Sequence, residues 1–167
     1  DHMLFSGDGF GCFGALNGGI LDEEIDTSWA WLEMVRYYSN IVGKYGAQVQ
    51  ALLKKASALD IKMILPLHGP ILKEDLGYYL GLYNTWSSYQ PESKGVFVAY
   101  ASIHGNTAKA AEKLGEMLKE KGAEKVVISD LSRSDMAENI EDAFRYDRIV
   151  LMASSYDGGV FPIMEDF

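Results

Sequence analysis

Val96-Phe97-Val98-Ala99-Tyr100-Ala101-Ser102-Ile103-His104-Gly105-Asn106-Thr107 is the stretch on which the fold turns. Its opening is an unbroken apolar run, the pattern of a strand buried on both faces. A small polar loop follows and leads into a helical pattern from about Thr107 to Lys121, with Ala111, Leu114 and Leu118 facing inward. Val126-Val127-Ile128 reads as a second strand, Met136, Ile140 and Phe144 mark a second helix, and Ile149-Val150-Leu151-Met152 is a third strand. Strand–helix alternation of this kind predicts an α/β fold built on a doubly wound parallel sheet.

Upstream the grammar differs. Gln90-Pro91-Glu92-Ser93-Lys94 is polar and contains a proline, so it is expected to be a linker between residues 1–90 and 91–167. Before it, Met3-Leu4-Phe5 reads as the end of a strand that runs into a glycine-rich loop, Gly7 to Gly11. A helix is expected from about Thr27, on the spacing of Trp31, Val35, Tyr38 and Val42, with a break bracketed by Gly43 and Gly46. Val49, Leu52, Leu53 and Ala56 predict a second helix, and Ile61 to Leu65 a short strand ended by Pro66-Leu67-His68-Gly69-Pro70. A third helix is expected over about 74–89, with Leu76, Leu80 and Tyr83 on one side.

The 167 residues are 48% hydrophobic and 23% charged, which is globular composition. The net charge of −9 argues against a nucleic-acid surface and against adhesion to anionic lipid. No run reaches the roughly 20 apolar residues of a membrane span. The single cysteine, Cys12, allows no internal disulfide and fits a reducing, cytoplasmic setting. Asp1-His2-Met3 reads as either a cloning scar or interior sequence, and Glu165-Asp166-Phe167 falls where a helix should be starting, so the chain is expected to be part of a longer protein.

Ser102-Ile103-His104-Gly105-Asn106-Thr107 sits between a strand and a helix, where a phosphate would meet free helix N–H groups and the positive end of the dipole. Ser102 and Thr107 add hydroxyls, Asn106 an amide, and Gly105 permits close backbone approach. His104, within the loop, is counted with its cofactor-binding residues, with its side chain expected to point to solvent and no catalytic role. The Gly-Lys-Ser/Thr of a Walker loop and the G-x-G-x-x-G of a dinucleotide site are both missing, which leaves a cradle of neutral donors for a phosphate monoester. An ordinary Asn/Thr helix cap would use the same residue types. Ser154-Ser155-Tyr156-Asp157-Gly158-Gly159 follows the third strand, at the carboxyl edge where such sheets bind ligands. Asp8 and His68 each follow a short strand among glycines. Carboxylate and imidazole together suit iron, manganese or zinc, although each residue taken singly also fits a turn or a strand end.

The pattern Ser102-x-x-Gly105-Asn106-Thr107 resembles the phosphate loop of the flavodoxin family. That likeness implies FMN, with Tyr156 stacking on the flavin and Ser154 to Gly159 lining it. Leu4 to Gly11, Arg36 to Ile41 and Leu67 to Ile71, in that order ahead of the flavodoxin loop, resemble the flavodiiron proteins. The resemblance implies the C-terminal portion of a metallo-β-lactamase-like αββα domain over 1–90, then an incomplete flavodoxin-like domain over 91–167. It further implies that Asp8 bridges two non-haem irons and that His68 ligates one. The family's H-x-E-x-D-H cluster is absent. The implied function is reduction of O2 to water or of NO to N2O, with electrons from a rubredoxin-like donor passing through FMN in a homodimer; this chain alone is expected to be inactive. Two other readings compete. One is a flavodoxin-like FMN electron carrier with a helical extension. The other is an interaction module whose apolar helices, rich in Trp and Tyr, await a partner. As part of a longer protein, the chain is expected to leave apolar faces uncovered around Trp29, Trp31 and Trp86 and to self-associate through them.

Overall fold

The computed structural model describes residues 2–167, and the chain divides into two compact units, 1–90 and 91–167. In the first unit, strand β1 (Met3–Gly7) leads through a long loop to helix α1 (Ala30–Tyr37) and helix α2 (Gly46–Ala56). Strand β2 (Met63–Pro66) and helix α3 (Leu76–Ser87) follow. β1 and β2 pair in parallel from Met3 opposite Met63 to Gly7 opposite Pro66, so both strands end at one edge.

The expected break at Gly43 and Gly46 is absent. α1 runs on as a π-helical segment, Tyr38–Val42, then a 3-10 turn, Gly43–Tyr45, and then α2, so the glycines tighten a helical path without interrupting it. Gly46 is needed there for proximity, since a Cβ would come within 2.7 Å of the Ser87 carbonyl oxygen.

The inner face of α3 also differs from expectation. Tyr79, Tyr83 and Trp86 are buried, while Leu76 and Leu80 are only partly so. Trp86 is fully buried, which overturns its assignment to uncovered surface. The reason is the aromatic cluster it joins. Phe10 stacks on Tyr83 at 4.0 Å between ring centroids, and Tyr38 packs edge-on against Tyr83 at 5.0 Å and against Trp86 at 5.1 Å. Such ring pairs add to plain area burial, so large aromatics outcompete leucine for this face.

In the second unit, strand β3 (Ser93–Ala101), helix α4 (Asn106–Glu120), strand β4 (Val126–Asp130), helix α5 (Met136–Arg145) and strand β5 (Tyr146–Ala153) alternate. A hairpin of β6 (Ser155–Tyr156) and β7 (Gly159–Val160) precedes the short helix α6 (Pro162–Asp166). Ser93 and Lys94, expected in the linker, already belong to β3: the Glu92 amide bonds the Arg145 carbonyl at 3.0 Å and draws the chain into the sheet early.

The sheet is parallel with β3 at its centre, in the order β4-β3-β5. Side chains along β3 alternate between two cores. Val96 and Val98 pack with Ala111 of α4, while Phe97 and Ala99 pack with Leu131 and Tyr146, joined by Ala143 of α5 and Ile163 and Phe167 around α6. Helical cover on both faces explains why the strand reads as continuously apolar. Asp135 starts α5 by accepting the amides of Ala137 at 2.8 Å and Glu138 at 3.2 Å.

The buried Tyr83 hydroxyl also accepts the Phe10 amide at 2.5 Å, so Tyr83→Phe leaves that N–H without a partner. We expect a loss of about 1–3 kcal/mol of unfolding free energy in urea titrations, with the helical signal retained.

Candidate functional site

Each unit carries one cluster of the residues singled out in the sequence, and each cluster lies at the carboxyl edge of a parallel sheet. In the first unit the loops after β1 and β2 are stitched together by backbone bonds. The Leu67 amide donates to the Gly7 carbonyl at 2.9 Å, and the Cys12 amide donates to the His68 carbonyl at 3.2 Å. Gly69 has φ of +90°, and a Cβ there would meet the Cys12 sulfur, so the close approach of the two loops requires glycine.

Asp8 and His68 are both exposed, and the same side chain touches each of them. The Tyr37 hydroxyl donates to Asp8 Oδ1 at 3.1 Å, and the Tyr37 ring lies 5.7 Å from the His68 ring. Desolvation, together with the bond and charge of Asp8, raises the Tyr37 hydroxyl above its ordinary range, so it stays a donor at neutral pH. A cavity of about 580 Å3 adjoins, with Tyr37, His68, Phe13 and Cys12 in its walls. Tyr37 was not singled out for chemistry in the sequence. It falls one residue before the π-helical segment, and an irregular turn beside a helix of this kind is a frequent mark of a site.

Cys12 is buried, and that burial, with the Glu33 carboxylate adding, pushes its thiol up to about 11. It is therefore a packed, protonated side chain at neutral pH. Among the described residues, no group of three or more His, Cys, Asp or Glu is placed to hold a metal.

In the second unit, α4 begins at the loop Ser102–Gly105. Gly105 has φ of +83°, with open space where a Cβ would stand, and no side chain caps the helix. The Gly105 amide donates to Ser102 Oγ at 3.0 Å, folding the loop back on itself. Thr107 Oγ1 and Ser154 Oγ lie 3.0 Å apart, so the loop after β3 and the loop after β5 are in direct contact. The backbone repeats the link, with the Ser154 amide on the Ala101 carbonyl at 3.2 Å.

His104, Ser155, Asp157, Gly158 and Gly159 are exposed. Tyr156 is 54% exposed on the β6–β7 hairpin, with Phe161 edge-on at 5.8 Å. Asp157 and Gly158 turn that hairpin with positive φ at both residues, 47° and 78°. Positive φ at both central positions is the geometry Asp-Gly favours, and the dipeptide was the available signal for a hairpin. Arg133, which reaches the cleft beside Ser102 and Gly105 from the loop after β4, was also missed; it faces Asp130 at 3.5 Å, which offsets its charge.

Comparisons with known proteins cover both units. The family model for the flavodoxin domain matches residues 97–167. The chain is 29% identical over 150 residues to the nitric oxide reductase of Moorella thermoacetica, covering 86% of this chain and 36% of that protein. It is 25% identical over 165 residues to the anaerobic nitric oxide reductase flavorubredoxin of Vibrio vulnificus, covering 97% of this chain and 33% of that one. The crystal structure of the flavodiiron protein from Giardia intestinalis superposes over 99% of this chain and 40% of its own, with a TM-score of 0.93 at 28% identity.

The chain is similar to flavodiiron proteins along nearly its whole length. It spans about a third of the length of the curated relatives it matches, 36% and 33% in the two named above. The flavodiiron likeness covers both units, whereas the flavodoxin model reaches only the second. Tyr37→Phe removes the bond to Asp8, a group in contact with solvent, so a cost of only about 0.5–1 kcal/mol is expected in thermal unfolding.

Proposed function

We propose that residues 1–90 are the C-terminal part of a metallo-β-lactamase-like diiron domain and that residues 91–167 are the first part of a flavodoxin-like FMN domain. On this reading the full-length protein reduces nitric oxide or dioxygen in the cytoplasm, as a homodimer supplied by a rubredoxin-like donor. The observation that carries the reading is Tyr37 in contact with both Asp8 and His68 at the ends of adjacent parallel strands. A free-standing FMN electron carrier would use the second unit alone and would give those contacts no purpose.

The residues fit both groups. Asp8 offers an exposed carboxylate and His68 an exposed imidazole, an oxygen–nitrogen donor set that suits iron. An open metal site draws at least three ligands from protein, so these two would be completed by donors outside the 167 residues. Residues 1–167 alone would then be inactive. For FMN, Ser102, Thr107, Ser154 and the uncapped amides from Asn106 onward would hold the phosphate, and Tyr156 offers an exposed ring for stacking. The hydroxyl cradle adds no positive charge, which suits a monoester already stabilised by the helix N-terminus. The chemistry supplied by FMN and a non-haem diiron pair is one-electron transfer, ending in reduction of dioxygen to water or of nitric oxide to nitrous oxide. This chain's part is to position. Tyr37 orients the Asp8 carboxylate through Oδ1, and the Thr107–Ser154 contact keeps two loops of the flavin edge in register.

Two measurements on the full-length protein test the halves separately. Thr107→Val is expected to weaken FMN binding to the apoprotein by about 1–3 kcal/mol, since it strips a hydroxyl from a charged phosphate. Unchanged affinity would place the phosphate elsewhere. Asp8→Ala and His68→Ala should each lower iron content and abolish reductase activity while FMN stays bound. Full iron loading in both variants would remove these residues from the metal site and favour the electron-carrier reading.

A further inference from the structure

Away from both half-sites, the first unit holds a cleft of about 450 Å3 beside the start of α3, within the range of small-molecule pockets. Asp22 lines it and is only 5% exposed. One carboxylate oxygen, Oδ2, accepts the amides of Lys73 and Glu74, both at 3.1 Å. The other, Oδ1, is buried and has no hydrogen-bond partner. A buried carboxylate left half-satisfied is costly unless something else supplies a donor.

The walls show what kind of donor fits. Glu23, Glu74 and Asp75 add carboxylates, and Trp31 and Tyr78 add aromatic rings. Lys73 is held at 2.7 Å by Glu23, so the ammonium beside the cleft is already paired. Asp75 begins α3 without capping it through its side chain, so its carboxylate is not committed to the helix amides. Carboxylates and aromatic faces together favour a cation. A bare metal ion fits poorly, because no three acidic residues come together as a metal group among the described residues. A planar guanidinium needs no such convergence: it can pair with a carboxylate along its edge while its face lies on a ring.

We propose that this cleft binds a guanidinium group, with Asp22 as its buried anchor and Glu74 and Asp75 as outer carboxylates. The group is either the side chain of an arginine presented by another protein or a free guanidinium compound, and the chemistry of capture is the same for both.

The test uses the full-length protein and the indole N–H resonance of Trp31, assigned with Trp31→Phe. Titration with N-acetyl-L-arginine amide should give a saturable shift, and the neutral N-acetyl-L-glutamine amide should give none. Asp22→Asn keeps an oxygen for the Lys73 and Glu74 amides but turns an NH2 toward the position of Oδ1, and should weaken binding about tenfold. Glu74→Gln, an exposed change, should weaken it about threefold. Comparison with a capped Gly-Arg-Gly peptide and with agmatine separates the sources: tighter peptide binding supports a protein arginine, and tighter agmatine binding a free compound. If Asp22→Asn does not fold, Glu74→Gln and the neutral probe still decide. The proposal is overturned by an absent or non-saturable shift, by an equal response to the glutamine probe, or by wild-type affinity in the folded carboxylate variants. It is also overturned if Ca2+ alone shifts the resonance as strongly as the arginine probe.

Discussion

Much of the first unit depends on how Phe10 meets Tyr83. Phe10 has φ of +64°, a conformation unfavourable for a bulky residue, and it lies in the loop that presents Asp8. Its ring stacks on Tyr83 and its amide donates to the Tyr83 hydroxyl, so one side chain of α3 holds both ends of a strained residue. Strain of this kind persists only where the surroundings over-determine it. Tyr83 is itself fixed by Tyr38 and Trp86, and Ser87 Oγ donates to the Tyr83 carbonyl. The position of Asp8 is thus set by a core assembled from α3 and the π-helical segment after α1, well away from the carboxylate in sequence.

That dependence explains what the sequence disclosed and what it hid. The second unit was legible because its strands are covered on both faces, and a parallel sheet writes that burial directly as apolar runs between helical periods. The two loops at its edge could be read for the same reason, since each follows a recognisable strand. Their meeting through Thr107 and Ser154 could not, because the register of β3 against β5 decides it. In the first unit, periodicity placed the helices but misjudged α3. The periodicity placed Tyr83 on the inner face but gave Leu76 and Leu80 the place that Tyr79 and Trp86 take, since ring-to-ring packing decides the contest and a hydrophobicity pattern carries no ring geometry. Tyr37 went unnoticed as well: among Arg36-Tyr37-Tyr38-Ser39 nothing local separates the tyrosine that reaches Asp8 from the one that fills the core.

The two half-sites differ in how much of their geometry one unit supplies. The proposed phosphate cradle draws on the ends of β3 and β5 of a single sheet, and its donors are backbone amides and short hydroxyls with few rotamers to freeze. It is organised before a ligand arrives. The pair Asp8 and His68 is organised to a lesser degree, by loop stitches and one tyrosine, and on the proposed function would take further donors from outside these residues.

Exposure reconciles that incompleteness with a stable fold. A carboxylate in water keeps its hydration whether or not a cation is present, so Asp8 and His68 can stand ready at a strand edge at little cost to the chain. Asp22 illustrates the opposite arrangement. Its Oδ1 is removed from solvent without a partner, and the desolvation is offset only in part by the two amides on Oδ2. Two acidic side chains in one small unit therefore carry different information. The exposed one is explained by position, since it lies at the paired edge of a sheet beside an imidazole. The buried one leaves Oδ1 without a partner among these residues, and the proposed guanidinium would supply one, which is why the charge of the cleft around Asp22 is read as half of an interaction and not as a solvated face.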